Sequence, residues 1–135
     1  MIRRIEEDDP RIGKFLDEGF TEYAESNGVP LNFDEFCFVC EEDGKILGCI
    51  TGRAYYNEIH IGDLIIDKNC RRTGLGSRLV NAVEDCYRGK GYDIVTLTTF
   101  GFQAPEFYKK LGYRLEFIRE NKDPKLCKYF LSKPL

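Results

Sequence analysis

Residues Cys70–Val80, CRRTGLGSRLV, decide the fold. Before them, Asp63–Asp67 (DLIID) is apolar and β-branched and reads as a strand. After them, Leu75, Leu79, Val83 and Cys86 recur at helical spacing, which predicts a helix from Gly74 to about Arg88. A P-loop needs Lys-Ser/Thr after its second glycine, but Ser77-Arg78 follow Gly76. A dinucleotide fingerprint needs a third glycine where Leu79 stands. A plain strand-to-helix turn is the structural alternative, although it needs no arginines. The functional reading is an anion site. Free N–H groups and the positive end of a helix dipole favour negative charge. Glycine allows close backbone approach, and Arg71 and Arg72 add charge beside it. The anion expected from this combination is a phosphate.

Outward from this stretch, residues 2–6 read as a short strand. Asp9-Pro10 opens a helix, with Asp as N-cap and Pro in the first turn. Ile12, Phe15, Leu16, Phe20 and Tyr23 give it helical spacing, and Gly28 ends it. The segment PLNFDE reads as a loop. FCFVCEE, a turn at Asp43-Gly44 and KILGCITGRAYY read as a β-hairpin. EIHIGDLIID is a further strand. Beyond the central helix, DIVTLTTF is a strand, APEFYKKLG a short helix closed by Gly112, and YRLEFI and CKYFLS are strands. The order β-α-β-β-β-α-β-α-β-β predicts an α/β (α+β) fold around a mixed sheet, as one domain over residues 1–135.

Composition narrows the classes. The chain has 42% hydrophobic residues, enough for a core, and no apolar run long enough to span a membrane. Its charged N-terminus has no signal-like apolar segment, so the expectation is a cytoplasmic protein whose six cysteines are free thiols. No membrane or nucleic-acid partner is expected. Residues 1–45 carry a net charge of −8 and residues 46–135 carry +5. One part suits a cation and the other an anion, unless both simply face water.

A second segment sharpens the reading. Arg71-x-x-Gly74-x-Gly76, with Ala104-x-x-Phe107-Tyr108-x-x-x-Gly112-Tyr113 further on, resembles the GNAT superfamily of acyl-CoA-dependent N-acetyltransferases. TTFGFQAPEFYKKLGY with the late KYFLSKPL resembles small bacterial members of unassigned substrate. The resemblance implies a mostly antiparallel mixed sheet, flanked by helices and splayed between two central parallel strands, here DLIID and DIVTLTT. It implies that acetyl-CoA is the co-substrate. The pantetheine arm is expected to pair with backbone at Leu64, Ile65 and Ile66. The pyrophosphate is expected on Arg71, Arg72, Thr73, Gly74, Leu75, Gly76 and Ser77, with Arg72 reaching a phosphate from the edge or only solvent. Where many members carry an asparagine, this chain has Gly101, and Gln103 is the nearby candidate for its contact.

The implied chemistry is acetyl transfer to a primary amine, on a small molecule or a protein, by direct attack in a ternary complex. By family position, Tyr108 is the acid that protonates the leaving thiolate, as a phenol neutral near pH 7 can. A backbone N–H near Ile65 polarises the thioester carbonyl. Glu58 is the first candidate base. His60 and Asp63 stand behind it, and a water chain is the alternative. Late strands often pair between subunits in this family, so a homodimer is one expected assembly. No metal is expected. Cys37-x-x-Cys40 lies on a strand, where residues three apart face opposite sides, and no second such pair accompanies it. The competing function is a GNAT-like module that binds acyl-CoA as a sensor without turnover.

Overall fold

The computed structural model describes residues 1–135, which form two compact units, residues 1–31 and 32–135. In the first, helix α1 (Pro10–Ser26) begins as expected. The Asp9 side chain accepts from the Arg11 N–H at 3.0 Å, and Pro10 occupies the first turn. Asn27 caps its C-terminus and Gly28 follows at φ +67°. Asp17, Glu18, Glu22 and Glu25 share one side of the helix. Residues 2–6, expected as a strand, form none. Ile2 and Ile5 are three apart and would face opposite sides of any strand, so the segment has no apolar face to bury.

The second unit is built on six strands: β1 (Asp34–Glu42), β2 (Lys45–Tyr55), β3 (Glu58–Ile66), β4 (Ile94–Phe100), β5 (Arg114–Arg119) and β6 (Lys128–Pro134). Helix α2 (Leu75–Tyr87) joins β3 to β4, and α3 (Pro105–Lys110) joins β4 to β5. The spatial order is β1-β2-β3-β4-β6-β5. Only β3 and β4 run parallel; every other pairing is antiparallel. This is the expected mixed sheet, without the N-terminal strand. The β1–β2 turn uses positive φ at both Asp43 and Gly44, as a tight hairpin requires.

The core forms where α2 meets the sheet. Leu75, Leu79, Val80 and Val83 of α2 pack with Ile50, Ile59, Ile61 and Val95. Each such side chain contributes about 1.5–3 kcal/mol by burial. Alternation sets the faces: Ile59 and Ile61 point to this core, whereas Glu58 and His60 point away. Tyr87 and Tyr92 tie down the start of β1. Their hydroxyls donate to Asp34 Oδ2 and to the Asn32 carbonyl, each at 2.7 Å. No helix is long and apolar enough to cross a membrane.

Candidate active site

Strands β3 and β4 pair only where Glu58–His60 face Ile94–Thr96. Beyond that point they part. Strand β3 stays with β2 as far as Ile66, and β4 stays with β6 as far as Phe100. The expected splay is therefore present, with the facing backbone edges of Ile61–Ile66 and Leu97–Phe100 unpaired with each other. Its local cause lies in β3. Thr51 pairs with Asp63 and Gly52 with Ile61, so Gly62 has no partner and forms a bulge. A bulge bends and twists its strand. It also shifts the alternation by one residue. Leu64 and Ile66 join Ile59 and Ile61 on the core side, and Asp63 and Ile65 join Glu58 and His60 on the other. Opposite the bulge, Gly52 is obligatory, because a Cβ there would run into the His60 carbonyl and the Phe36 ring.

The loop after β3 has the features of an anion cradle. Arg72 at φ +64° and Gly74 at φ +83° are both left-handed. Such alternation turns successive N–H groups toward one concavity. The Thr73 hydroxyl donates to the Cys70 carbonyl at 2.5 Å, which braces the turn. No side chain caps α2, and the amides of Thr73 to Ser77 have no acceptor in the protein. Arg71 Nε donates to the Ile66 carbonyl at 3.2 Å, holding the guanidinium at the end of β3. The two glycines serve different ends. Gly74 has open space around it and is needed for its φ. Gly76 lies under α3, where a Cβ would come within 3.1 Å of Phe107 Cζ.

Phe107 and Tyr108 lie side by side on α3, their ring centroids 5.0 Å apart. Tyr108 is 7% exposed, and its other face meets Tyr113 at 5.8 Å. Four tyrosines are buried, and three have an acceptor: Tyr87 on Asp34, Tyr92 on Asn32, and Tyr113 on Glu84 Oε2 at 3.3 Å. The Tyr108 hydroxyl alone has none within the protein, yet it is not sealed from solvent. Burial pushes its pKa up to about 12, so the phenol stays protonated throughout the neutral range.

The candidate bases lie on the other face of β3. Glu58 is half-buried at the first paired position of the parallel ladder. His60 stands at the last, with Nδ1 2.9 Å from Thr96 Oγ1, and burial pushes its pKa down. Asp63 is exposed, and its Oδ2 accepts from the Thr51 hydroxyl at 3.4 Å. Tyr108 thus joins the core on the α2 side of the sheet, and the three candidate bases lie on the opposite face of β3.

Two arrangements escaped sequence reasoning. Gly101 is pressed against the β5–β6 connection, where a Cβ would strike the Pro124 carbonyl. Its N–H donates to the Cys127 carbonyl at 2.8 Å and that of Phe102 to Lys125 at 3.1 Å. No asparagine fits there. Gln103 Oε1 accepts from the Phe100 N–H at 2.9 Å, so that oxygen braces the turn after β4. The second arrangement is a buried ion pair behind Tyr113. Glu84, 3% exposed, receives Lys133 Nζ at 2.7 Å as well as the Tyr113 hydroxyl. Glu84 follows Val80 by one helical turn, off the stripe of Leu75, Leu79, Val83 and Cys86, so helical spacing gave no sign of it.

Comparisons with known proteins agree with this geometry. The sequence model described as Acetyltransferase (GNAT) family matches residues 1–113. Blasticidin-S acetyltransferase of Streptomyces morookaense is 33% identical over 99 residues, 73% of each chain. The crystal structure of an acetyltransferase from Bacillus cereus superposes with a TM-score of 0.79 at 33% identity, covering 98% of both chains. A GNAT family acetyltransferase from Elizabethkingia anophelis with acetyl-CoA bound shares the fold at 18% identity and a TM-score of 0.65, over 87% of this chain and 82% of that one. By sequence and by fold, this chain is a member of the GNAT family of acetyltransferases.

Proposed function

We propose that the protein transfers acetyl from acetyl-CoA to a primary amine by direct attack within a ternary complex. What supports this reading is the combination of parted strands, an uncapped helix start beyond the end of β3, and a buried phenol on α3 with a free hydroxyl. The unpaired edge at Leu64–Ile66 is suited to hydrogen-bond the amides of the pantetheine arm. The amides of Thr73–Ser77 take the pyrophosphate, and Arg71, anchored on Ile66, adds a fixed positive charge. Arg72 is exposed and contributes charge rather than a defined contact. Gln103 helps by holding the turn after β4.

Only about one alkyl amine in a thousand is neutral near pH 7, so the attacking group must first lose a proton. Glu58 is the first candidate to take it, directly or through water, and His60 and Asp63 on the same face stand behind it. The β3 edge near Ile65 offers an N–H to the oxyanion. Tyr108, still protonated, donates to the departing sulfur. The acceptor is cationic in its resting form, a reading supported by the net charge of −8 over residues 1–45.

A thiol-release screen with acetyl-CoA and amines of graded size and charge tests the reading. Release with cationic amines, weakened by salt, supports it. Coenzyme binding without release from any amine makes the protein an acyl-CoA sensor instead, and a preference for anionic acceptors rules out the electrostatic argument.

A further inference from the structure

The cysteine pair visible in the sequence, Cys37 and Cys40, is separated by the fold: Cys40 packs toward the core and Cys37 faces out. The β1–β2 register makes a different pair. Cys37 stands opposite Thr51, and Val39 opposite Cys49, so Cys37 and Cys49 are diagonal neighbours on one face. Their Sγ atoms are 3.7 Å apart. Cys37 is exposed and Cys49 half-buried. Neither thiol has a role in the transfer chemistry.

A disulfide needs its sulfurs at about 2.05 Å. Diagonal neighbours lie farther apart than directly opposed ones, about 7–8 Å between Cα atoms, so a bond here draws the strands together. Strand β1 can yield, because it is the edge of the sheet and has a partner on one side only. A bond made at such a cost in geometry, and open to solvent, belongs to the readily reduced class.

We propose that Cys37 and Cys49 form a thiol–disulfide exchange site for low-molecular-weight disulfides of the glutathione type. The exposed Cys37 thiolate attacks one sulfur of the small disulfide and releases the first small thiol, leaving a mixed disulfide on Cys37. The Cys49 thiolate then attacks the Cys37 sulfur and expels the second. One protein dithiol and one small disulfide give one protein disulfide and two small thiols; the protein loses two electrons and the small disulfide gains them. Burial, then the neighbouring Cys37, pushes the Cys49 thiol up, which suits it to the intramolecular second step rather than the first. Cys49 is also the cross-strand partner of Ile65, on the segment of β3 that parts from β4.

The test uses the reduced full chain, incubated with excess oxidised glutathione, alkylated and mapped by mass spectrometry without reduction. The expected product lacks two hydrogens, links the Cys37 and Cys49 peptides, and reverts with dithiothreitol. Cys49→Ser should instead hold a stable glutathione adduct on Cys37, and Cys37→Ser should react far more slowly at Cys49. Circular dichroism establishes that both variants fold. The proposal is overturned by a wild-type protein that keeps a stable adduct on Cys37 without the link, by a link through any other cysteine, or by a folded Cys49→Ser protein without the adduct. None of these readouts depends on acetyl transfer, so the outcome is independent of the enzymatic reading.

Discussion

Replacing Tyr108 by phenylalanine removes one hydroxyl and keeps the ring between Phe107 and Tyr113. Because that hydroxyl engages no protein acceptor, its loss orphans no buried group, and stability should change by less than about 1 kcal/mol. Turnover should fall by about 10²- to 10⁴-fold, the usual contribution of a positioned proton donor, equivalent to about 2.7–5.4 kcal/mol in the barrier. The lost interaction acts in the transition state, so kcat should fall while KM for acetyl-CoA holds. Tyr113→Phe is the control. It removes a donor from Glu84, should cost about 1 kcal/mol of stability, and should leave turnover nearly intact. The pH profile separates the roles further. An unperturbed phenol would ionise near pH 10, but burial moves Tyr108 to about 12. Wild-type activity should therefore rise as the amine and its base deprotonate, with no decline from Tyr108 below about pH 11. Steady-state assays by thiol release, with urea melts of each variant, measure both quantities. A Tyr108→Phe enzyme that turns over like wild type, with chemistry shown to be rate-limiting, refutes the assignment and leaves Tyr108 a packing residue.

Arg71→Ala should weaken acetyl-CoA binding by about 1.5–3 kcal/mol in calorimetry, the value of a charge-assisted hydrogen bond; unchanged affinity sinks the phosphate reading. Glu84→Ala should destabilise by about 1–3 kcal/mol in urea melts, because it removes the acceptor of the part-buried Lys133 ammonium and of the Tyr113 hydroxyl. A double replacement of Glu84 and Lys133 by methionine should recover much of that loss. Stability should also fall steeply in alkali. Burial holds the pKa values of Tyr87, Tyr92, Tyr108 and Tyr113 above the ordinary value near 10. Between the unfolded and folded values the unfolded chain binds fewer protons, so unfolding becomes easier as pH rises from about 10. A melting temperature flat from neutral pH to pH 11 contradicts this.

The parts legible in the sequence were those written in local rules. Asp9-Pro10 announced α1, Asp43-Gly44 announced the hairpin, and the run from Asp63 to Val83 announced strand, cradle and helix. The residues proposed for the cleft come from two motifs with fixed spacing, Arg71-x-x-Gly74-x-Gly76 and the Ala104–Tyr113 segment. What failed or stayed hidden depended on register. Residues 2–6 were apolar enough to suggest a strand but had no one-sided pattern. The bulge at Gly62 was signalled by a glycine inside a strand, yet only pairing with β2 shows that it shifts Asp63 and Ile65 onto the face of Glu58. The proximity of Cys37 to Cys49, and of Gly101 to Pro124, follows from which strand lies beside which. No periodicity within either segment carries that information.

The parting of β3 from β4 leaves an interruption in the middle of a sheet, where pairing is normally continuous. In the apo protein the facing backbone groups must be satisfied by water, and the two halves of the sheet are joined by only three residue pairs. A ligand arm that carries amides can act as the missing strand. On this view the coenzyme is a structural component as well as a reactant. Saturation at about 100 times its dissociation constant adds about 2.7 kcal/mol to the folded state. Where the coenzyme takes that place, its scarcity leaves the protein less stable, and survival against added protease with and without acetyl-CoA measures the effect.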